Sequence, residues 1–277
     1  MASPLQLGQT LRGRLSTYSV IKELHRAADH GAVYLRLQNE ATVLKQYQAR
    51  SRFFRPLEDE IDEPEDPPSI VLKYLDSDLR TESDRQQLTW PEIKQVAKCA
   101  LEALRTLHQD GMVHTDIELD NIFVNLGWFD RRFPTIQRGD CGGVVPKHSK
   151  LTQEDHLIDA SFTRSPEAQL HLSPTTTLFL LELMPQQVLT LLCGGGLHLF
   201  NPANEGIKSD RDEYELEITD ENASTIVEFI HSMGPPTKPF HLVARREILP
   251  ADRDFVFEIM KLDPRDRPTA EELLYSI

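Results

Sequence analysis

Three polar residues lie inside an otherwise apolar stretch, GMVHTDIELDNIFVN, at residues 111–125. His114 is followed two residues later by Asp116, and Asn121 lies five residues beyond Asp116. The flanking apolar runs predict two short strands that pair across a tight loop. The polar side chains would then lie at the tip of a loop held by rigid structure, where chemistry often takes place. From this stretch alone, a hairpin with turn-forming Asp and Asn and a core His is an equally good interpretation.

Phosphoryl transfer is the reaction that these residue types could support. It needs a carboxylate that orients the attacking hydroxyl, and oxygen ligands that hold Mg²⁺ on the phosphates. Asp116 could be that carboxylate and Asn121 a neutral magnesium ligand. A second acid is required, and RGDCGGVVP supplies Asp140. Asp-x-Gly-Gly is a common turn by itself, so Asp140 gains weight from its position after the His-x-Asp loop.

The first third of the chain alternates strand and helix patterns. Residues 15–36, which include STYSVIKEL and AVYLR, predict strands, and LQNEATVLKQY at 37–47 has the apolar spacing of a helix. The acid- and proline-rich run at 53–68 predicts a surface loop, and SIVLKYL at 69–75 predicts a strand. No internal repeat is visible in the sequence.

A long amphipathic helix is predicted next, with Pro91 in its first turn and Gly111 as its stop. One apolar stripe runs along it, formed by Ile93, Val96, Ala97, Ala100, Leu101, Leu104 and Leu107. The remainder of the chain has mostly helical patterns. The sequence therefore predicts an α+β chain with two lobes, a β-rich one at 1–75 and a mainly helical one at 76–277, joined near residues 73–79.

Composition narrows the possible partners and the compartment. The formal charge of −14 argues against a nucleic-acid backbone or an anionic membrane as the main partner. Three cysteines without metal-ligand spacing, together with the lack of an apolar signal segment, favour an intracellular protein. The apolar stretch at 178–196 is interrupted by Glu182, Pro185 and two glutamines, so a buried helix is preferred over a membrane span.

Several motifs together resemble those of a eukaryotic protein kinase. HTDIELDN, at 114–121, is similar to the His-Arg-Asp catalytic loop in the His-Thr-Asp form of SR-protein kinases. DCG at 140–142 resembles Asp-Phe-Gly, and SPE at 165–167 resembles the Ala-Pro-Glu that closes an activation segment. VLKYLDSDL at 71–79 resembles the strand and hinge that contact adenine, and LDPRDRPTAEELL at 262–274 resembles the closing helices. Small-molecule kinases of the aminoglycoside type share the His-x-Asp loop, but they lack the Pro-Glu closure of the activation segment and the Arg-Pro-Thr helix.

The resemblance implies a two-lobed protein-kinase-like fold with a truncated β-rich small lobe and a mainly helical large lobe, forming one domain. It implies a Ser/Thr-class activity that uses ATP and Mg²⁺ on a protein substrate, with Arg267 paired to Glu167. The oligomeric state stays open. The implied site comprises Asp116 as base, Asn121 and Asp140 as magnesium ligands, Gly31 and Val33 in the loop over the phosphates, and the backbone of Tyr74 and Leu75 as adenine contacts.

Other positions depart from the kinase pattern. Glu40 matches the helix Glu, but its Lys partner on the third strand has no visible position, since neither Lys22 nor Lys45 is a convincing substitute. Glu118 stands where Ser/Thr kinases carry a Lys, and an acid there would repel developing negative charge. The Asp expected in a central helix is missing as well, because no Asp occurs between positions 159 and 210.

Two hypotheses about function follow from these departures. The chain is either a Ser/Thr kinase with much reduced activity or a catalytically inactive pseudokinase that acts as a binding or scaffold module. The segment at 172–200 is unlike kinase sequence, which either a displaced reading frame or ordinary drift in an inactive kinase would explain. Both hypotheses predict weak, magnesium-dependent ATP binding and marginal stability.

Overall fold

The computed structural model describes residues 5–22, 30–128, 131–149, 250–259, 261 and 266–276, which form a mixture of helices and strands. The elements, in chain order, are β1 (Thr10–Gly13), β2 (Thr17–Ser19), α1 (His30–Tyr47), β3 (Leu57–Glu63), β4 (Ser69–Leu72), β5 (Ser77–Asp78), α2 (Leu79–Arg85), α3 (Trp90–His108), β6 (Met112–Val113), β7 (Ile122–Asn125), β8 (Thr135–Arg138), β9 (Val145–Pro146), α4 (Pro250–Ile259) and α5 (Ala270–Leu274). Two 3-10 turns, Leu119–Asn121 and Cys141–Gly143, lie between these elements.

An antiparallel sheet with strand order β2-β1-β3-β4 forms the N-terminal part. A buried acid, Asp59 on β3, holds its first hairpin together. Its Oδ2 accepts hydrogen bonds from the backbone N–H of Leu15 at 3.0 Å and of Ser16 at 3.1 Å, and from the Tyr18 hydroxyl at 3.1 Å. These bonds lower the pKa of Asp59, although burial alone would raise it.

The surface loop predicted at 53–68 is wrong over residues 57–63, because these residues form β3. Acids are disfavoured in strands, which is why the run was not recognised. Here their charges are matched across the sheet. Glu60 Oε2 lies 2.6 Å from Lys45 Nζ on α1 and 2.5 Å from an Arg14 nitrogen.

The strand predicted for AVYLR is also wrong, because α1 begins at His30 and includes it. The apolar positions 33, 37, 41 and 44 continue one helical spacing, and the β-branched and aromatic residues at its start obscured that pattern. Among the described residues, two strands rather than three precede α1. Gly31 and Val33 therefore lie in the first turns of a helix and not in a loop between strands.

The helix predicted from Pro91 is confirmed as α3, and all seven residues of its apolar stripe are buried. Thr89 and Glu92 form a capping box at its start, with the Glu92 carboxylate 2.7 Å from the Thr89 backbone N–H. Gly111 follows the helix with φ of 69°, a left-handed conformation that suits glycine. Five of the seven, all but Ala100 and Leu107, pack with residues of β7, β8, α4 and α5 in the largest core cluster of the described residues, and Leu107 lies in a second cluster with residues of α1.

The hairpin predicted between Met112–Val113 and 122–124 is wrong. β6 pairs with β9, whereas β7 lies between β5 and β8 in a separate three-stranded sheet. Both runs are strands, but they do not pair with each other: β6 pairs with the distant β9, and β7 pairs with β8, the strand that follows it, and with β5. The strand predicted at 69–75 is confirmed over Ser69–Leu72.

Several predictions concern residues outside the described ones: the helix at 178–192, the span considered at 178–196, the SPE motif and the Arg267–Glu167 pair. In the part of the chain that the structure describes, no helix is both long enough and apolar enough to cross a membrane.

Candidate functional site

The segment between β6 and β7, residues 114–121, brings an acid and an amide together. Asn121 ends the 3-10 turn that precedes β7, and its Nδ2 donates to Asp116 Oδ2 at 3.3 Å and to the Asp116 carbonyl at 3.4 Å. Both residues are half-buried. The Asp116 carboxylate is thus held by the amide nitrogen of Asn121, and the amide oxygen of Asn121 takes no part in this contact.

A buried arginine, Arg138, organises this loop from behind. Its Nη2 donates to the Asp116 carbonyl at 2.8 Å and lies 3.0 Å from His114 Nδ1. A guanidinium only donates hydrogen bonds, so Nδ1 of His114 must accept and the imidazole is neutral. Burial, and then the Arg138 charge, hold the pKa of His114 well below its ordinary value. His114 therefore has a structural role here and is not a general base.

The Asp-Cys-Gly turn lies directly beside the loop. Gly139 donates its backbone N–H to the Asn121 carbonyl at 2.9 Å, and Thr115 Oγ1 donates to the Gly143 carbonyl at 2.8 Å. Thr115 and Asp140 have φ of 65° and 49°, and they are the non-glycine residues of the described chain with positive φ. Such conformations cost about 1–3 kcal/mol each and cluster at functional sites. Two of them, in adjoining turns joined by the Thr115–Gly143 hydrogen bond, mark this region as a candidate site.

Carboxylates are crowded around Asp116. Burial, and then the Asp140 carboxylate, raise the pKa of Asp116. Burial, followed by the charges of Asp120 and Asp116, raises the pKa of Glu118 to about 7. Like charges at short range favour either a proton or a cation. This group of acids is therefore electrostatically suited to a cation, and Glu118 disfavours an anion beside it.

Helix α1 is docked onto the Asp-Cys-Gly turn through two neighbouring side chains. Asn39 Nδ2 donates to the carbonyls of Gly142 at 2.9 Å and Val144 at 2.8 Å. The neighbouring Glu40 is buried, and the backbone N–H groups of Cys141 and Asp140 partly offset the rise in its pKa. Gly142 allows this close approach, since a Cβ there would lie 2.9 Å from the backbone of α1.

Glu40 has no lysine partner among the described residues. It is 9% exposed, and its Oε1 has no hydrogen-bond partner in that part of the chain. Burial, and then the Asp140 charge, raise its pKa. Lys45 is exposed and pairs with Glu60, and Lys22 is exposed beyond β2. The prediction that neither lysine replaces the missing one agrees with these positions.

The remaining predicted site residues are placed as follows. Tyr74 and Leu75 lie between β4 and β5, with the Tyr74 side chain exposed and that of Leu75 buried. Asp116, Asn121 and Asp140 are brought together. Gly31 and Val33 lie on α1, so the structure gives them no loop from which to cover a ligand.

The sequence analysis missed two residues that shape the site, Arg138 and Asn39. Arg138 could have been noticed as the residue immediately before Gly139-Asp140, where a charged side chain at the end of a strand is unusual. Asn39 gives no sequence signal, because a polar residue on a helix is ordinary.

The site thus combines an Asp–Asn loop, an Asp-x-Gly turn and a helix with an inward Glu, within a mixed helix and strand fold. Two of the motifs on which the resemblance to protein kinases rests, HTDIELDN and DCG, are thus adjacent in the structure. No family model matches the chain.

Individual relatives do match. Over 208 residues, 74% of the chain, it is 24% identical to serine/threonine-protein kinase PAK mbt of Drosophila melanogaster, covering 27% of that protein. It is 23% identical over the same length to serine/threonine-protein kinase PAK 4 of Homo sapiens, covering 30% of it. Mitogen-activated protein kinase p38b of Drosophila melanogaster is 24% identical over 212 residues and is 55% covered. The matches relate the chain distantly to Ser/Thr protein kinases, and it spans less than a third of either PAK relative.

Proposed function

We propose that this chain is a protein-kinase-like domain that binds ATP with Mg²⁺ weakly, and whose phosphoryl transfer to Ser/Thr of a protein substrate is slow. The observation that supports this function best is the contact of Asp116 with Asn121 beside the Asp140 turn. In this proposal the fold has two lobes, divided near residue 75. The chain would act inside the cell on a protein and not on nucleic acid or a membrane.

Asp116 would accept the proton of the attacking hydroxyl, and its geometry supports that role. Arg138 and Asn121 both hydrogen-bond its carbonyl or carboxylate, so the side chain has a fixed orientation. The raised pKa of Asp116 brings it closer to the working pH of a general base. A base that is already held in one orientation lowers the entropy cost of reaching the transition state.

The residues fit a magnesium ion held mainly by a nucleotide. Asp140 and Asn121 offer oxygen ligands, which Mg²⁺ prefers. Among the described residues, no lysine pairs with the carboxylates around them. Within the described residues no cluster of three or more His, Cys, Asp or Glu side chains forms a metal site. The other ligands would therefore come from phosphates and water, which is the usual arrangement for Mg²⁺. When bound, the ion would neutralise charge on the transferred phosphate.

A pseudokinase acting as a binding or scaffold module is the second candidate, and specific observations favour it. In the part of the chain that the structure describes, Glu40 is buried without a lysine partner, and Glu118 would add negative charge where the phosphate passes. Removing one preorganised electrostatic group from a catalytic site typically costs about 2.7–4 kcal/mol in the barrier. Two such defects leave little rate enhancement, while the docked Asp140 turn can still bind nucleotide.

Calorimetric titration with ATP, with and without Mg²⁺, tests the nucleotide proposal. We expect weak binding that requires Mg²⁺, and loss of that requirement in Asp140→Asn. Asp120→Asn is the matched control, because it removes the same charge from an exposed position in the neighbouring loop. Tight ATP binding that is independent of Mg²⁺ in the wild type would contradict the role of Asp140 and Asn121.

A further inference from the structure

Arg55 enters the proposed nucleotide cleft from behind the Asp140 turn. Its backbone N–H donates to the Arg138 carbonyl at 2.7 Å, and the Arg138 N–H donates to the Phe53 carbonyl at 2.6 Å. The main chain at 53–55 is therefore paired with the residue that precedes Gly139 and Asp140. This pairing fixes the point from which the half-buried Arg55 side chain starts.

The side chain then makes two directed contacts. Its Nε donates to the Lys73 carbonyl at 2.7 Å, and its guanidinium carbon lies 4.5 Å from the centre of the Phe123 ring. A planar cation on an aromatic face at this distance is a favourable stack. The charge of Glu40 attracts it as well, while burial lowers the pKa of Arg55.

Gly139 makes room for this arrangement. A Cβ at Gly139 would lie 2.6 Å from the Phe123 ring and 3.5 Å from Arg55 Cδ. The aliphatic part of the Arg55 side chain and the Phe123 ring therefore pack directly against the backbone at Gly139, and a larger residue at position 139 would displace the ring. The space between the Lys73 carbonyl, Phe123 and Gly139 is occupied by the arginine.

A purine base would need the same two features. Its exocyclic amine requires a carbonyl acceptor, and its flat face requires an apolar or aromatic surface. The Lys73 carbonyl comes one residue before the proposed base contacts at Tyr74 and Leu75, and Phe123 comes two residues after Asn121. The Arg55 guanidinium, itself planar and a donor, makes both interactions that the base would make.

We propose that Arg55 occupies the base subsite of the nucleotide cleft and competes with adenine for it. The inference rests on the proposed nucleotide function and adds a second cause of weak binding, independent of the missing lysine. The base would enter only after the arginine leaves Lys73 and Phe123. If Arg55 instead served as a cation for the phosphates, its removal would weaken the binding of ATP rather than strengthen it.

Titration calorimetry of Arg55→Ala with adenosine, and with ATP plus Mg²⁺, tests the proposal. We expect both ligands to bind about tenfold to hundredfold more tightly than to the wild type, because a charge-assisted hydrogen bond no longer has to be broken. Adenosine has no phosphates, so its tighter binding reports the base subsite alone. Arg52→Ala is the matched control, since Arg52 lies on the same segment, stacks on Phe53 at 5.0 Å and is exposed.

Other outcomes separate the two proposals. Unchanged or weaker adenosine and ATP binding to folded Arg55→Ala overturns the inference and leaves the nucleotide function in place. No binding of either ligand to the wild type or the variant overturns the nucleotide function, and the inference with it. If the alanine variant does not fold, Arg55→Met retains the apolar stem and loses the donors, and the same comparison applies to it.

Discussion

Ionisation of Glu118 makes the free energy of unfolding depend on pH, and Glu118→Gln should remove that dependence. Burial, the charges of Asp120 and Asp116, and a hydrogen bond with Asp120 raise its pKa from an ordinary 4.5 to about 7. Between these values the folded state binds more protons than the unfolded state, so stability falls as the pH rises through this window. The loss is complete above about pH 8 and absent below about pH 4.5.

The magnitude follows from the pKa difference. At about 1.36 kcal/mol per pH unit, the rise corresponds to about 3.4 kcal/mol for a fully enclosed group. Glu118 is only half-buried, so solvent screens a large share, and we take about 1–2 kcal/mol. Glutamine keeps a donor toward Asp120 and cannot ionise. The variant should therefore be about 1–2 kcal/mol more stable than the wild type at pH 8 and about equal to it at pH 4.5.

Urea unfolding monitored by circular dichroism at the two pH values measures the difference. Glu58→Gln is the matched control, since Glu58 is an exposed acid on β3 and its removal lowers the net negative charge equally. Any general relief of repulsion in this acidic chain would appear in both variants. Equal stability of the two variants at pH 8 would refute the argument that Glu118 is held against its neighbours' charge.

Three further outcomes are expected. Arg138→Met should lower the free energy of unfolding in urea by about 2–6 kcal/mol, because His114 Nδ1 and the Asp116 carbonyl lose their donor at about 1–3 kcal/mol each. A change within error would contradict the role of Arg138 in holding the loop at 114–121. Asp116→Asn should abolish any phosphate incorporation from labelled ATP while circular dichroism stays unchanged, and retained activity would assign it to another site or a contaminant. Burial raises the pKa values of Cys99 and Cys141 to about 12. In the Cys193→Ser variant, thiol labelling at pH 8 should therefore proceed only as fast as the protein unfolds, and an immediate reaction would contradict the burial of these two thiols.

Local patterns in the sequence were sufficient where one element determines its own structure. The stripe of α3 repeats over about four turns and is flanked by Pro91 and Gly111, so both the type and the ends of the helix were predictable. The Asp116–Asn121 spacing likewise encodes a turn that closes on itself, with a hydrogen bond across five residues. The order of motifs then led to Asp140, which does lie beside them.

Pairings between distant segments could not be predicted in the same way. β6 carries two residues, too few to define a partner by pattern, and it pairs with β9, which lies beyond β7 and β8 in sequence. β7 pairs with β8, the strand that follows it, but also with the two-residue β5, which precedes α2 and α3. The contacts of Arg138 and Arg55 depend on those pairings. Arg55 in particular lies in a segment whose acids and prolines predicted a loop, although β3 begins two residues later.

The docking of α1 has a consequence for how many conformations this chain populates. Asn39 ties the helix to residues 142–144 through two hydrogen bonds. A swing of α1 away from the turn would break both at once, at about 1 kcal/mol each. By these two bonds alone, the undocked arrangement would be present in about one molecule in thirty. A partner that needed α1 displaced would have to contribute about 2 kcal/mol of its own binding energy to replace them, a coupling small enough for an effector to supply.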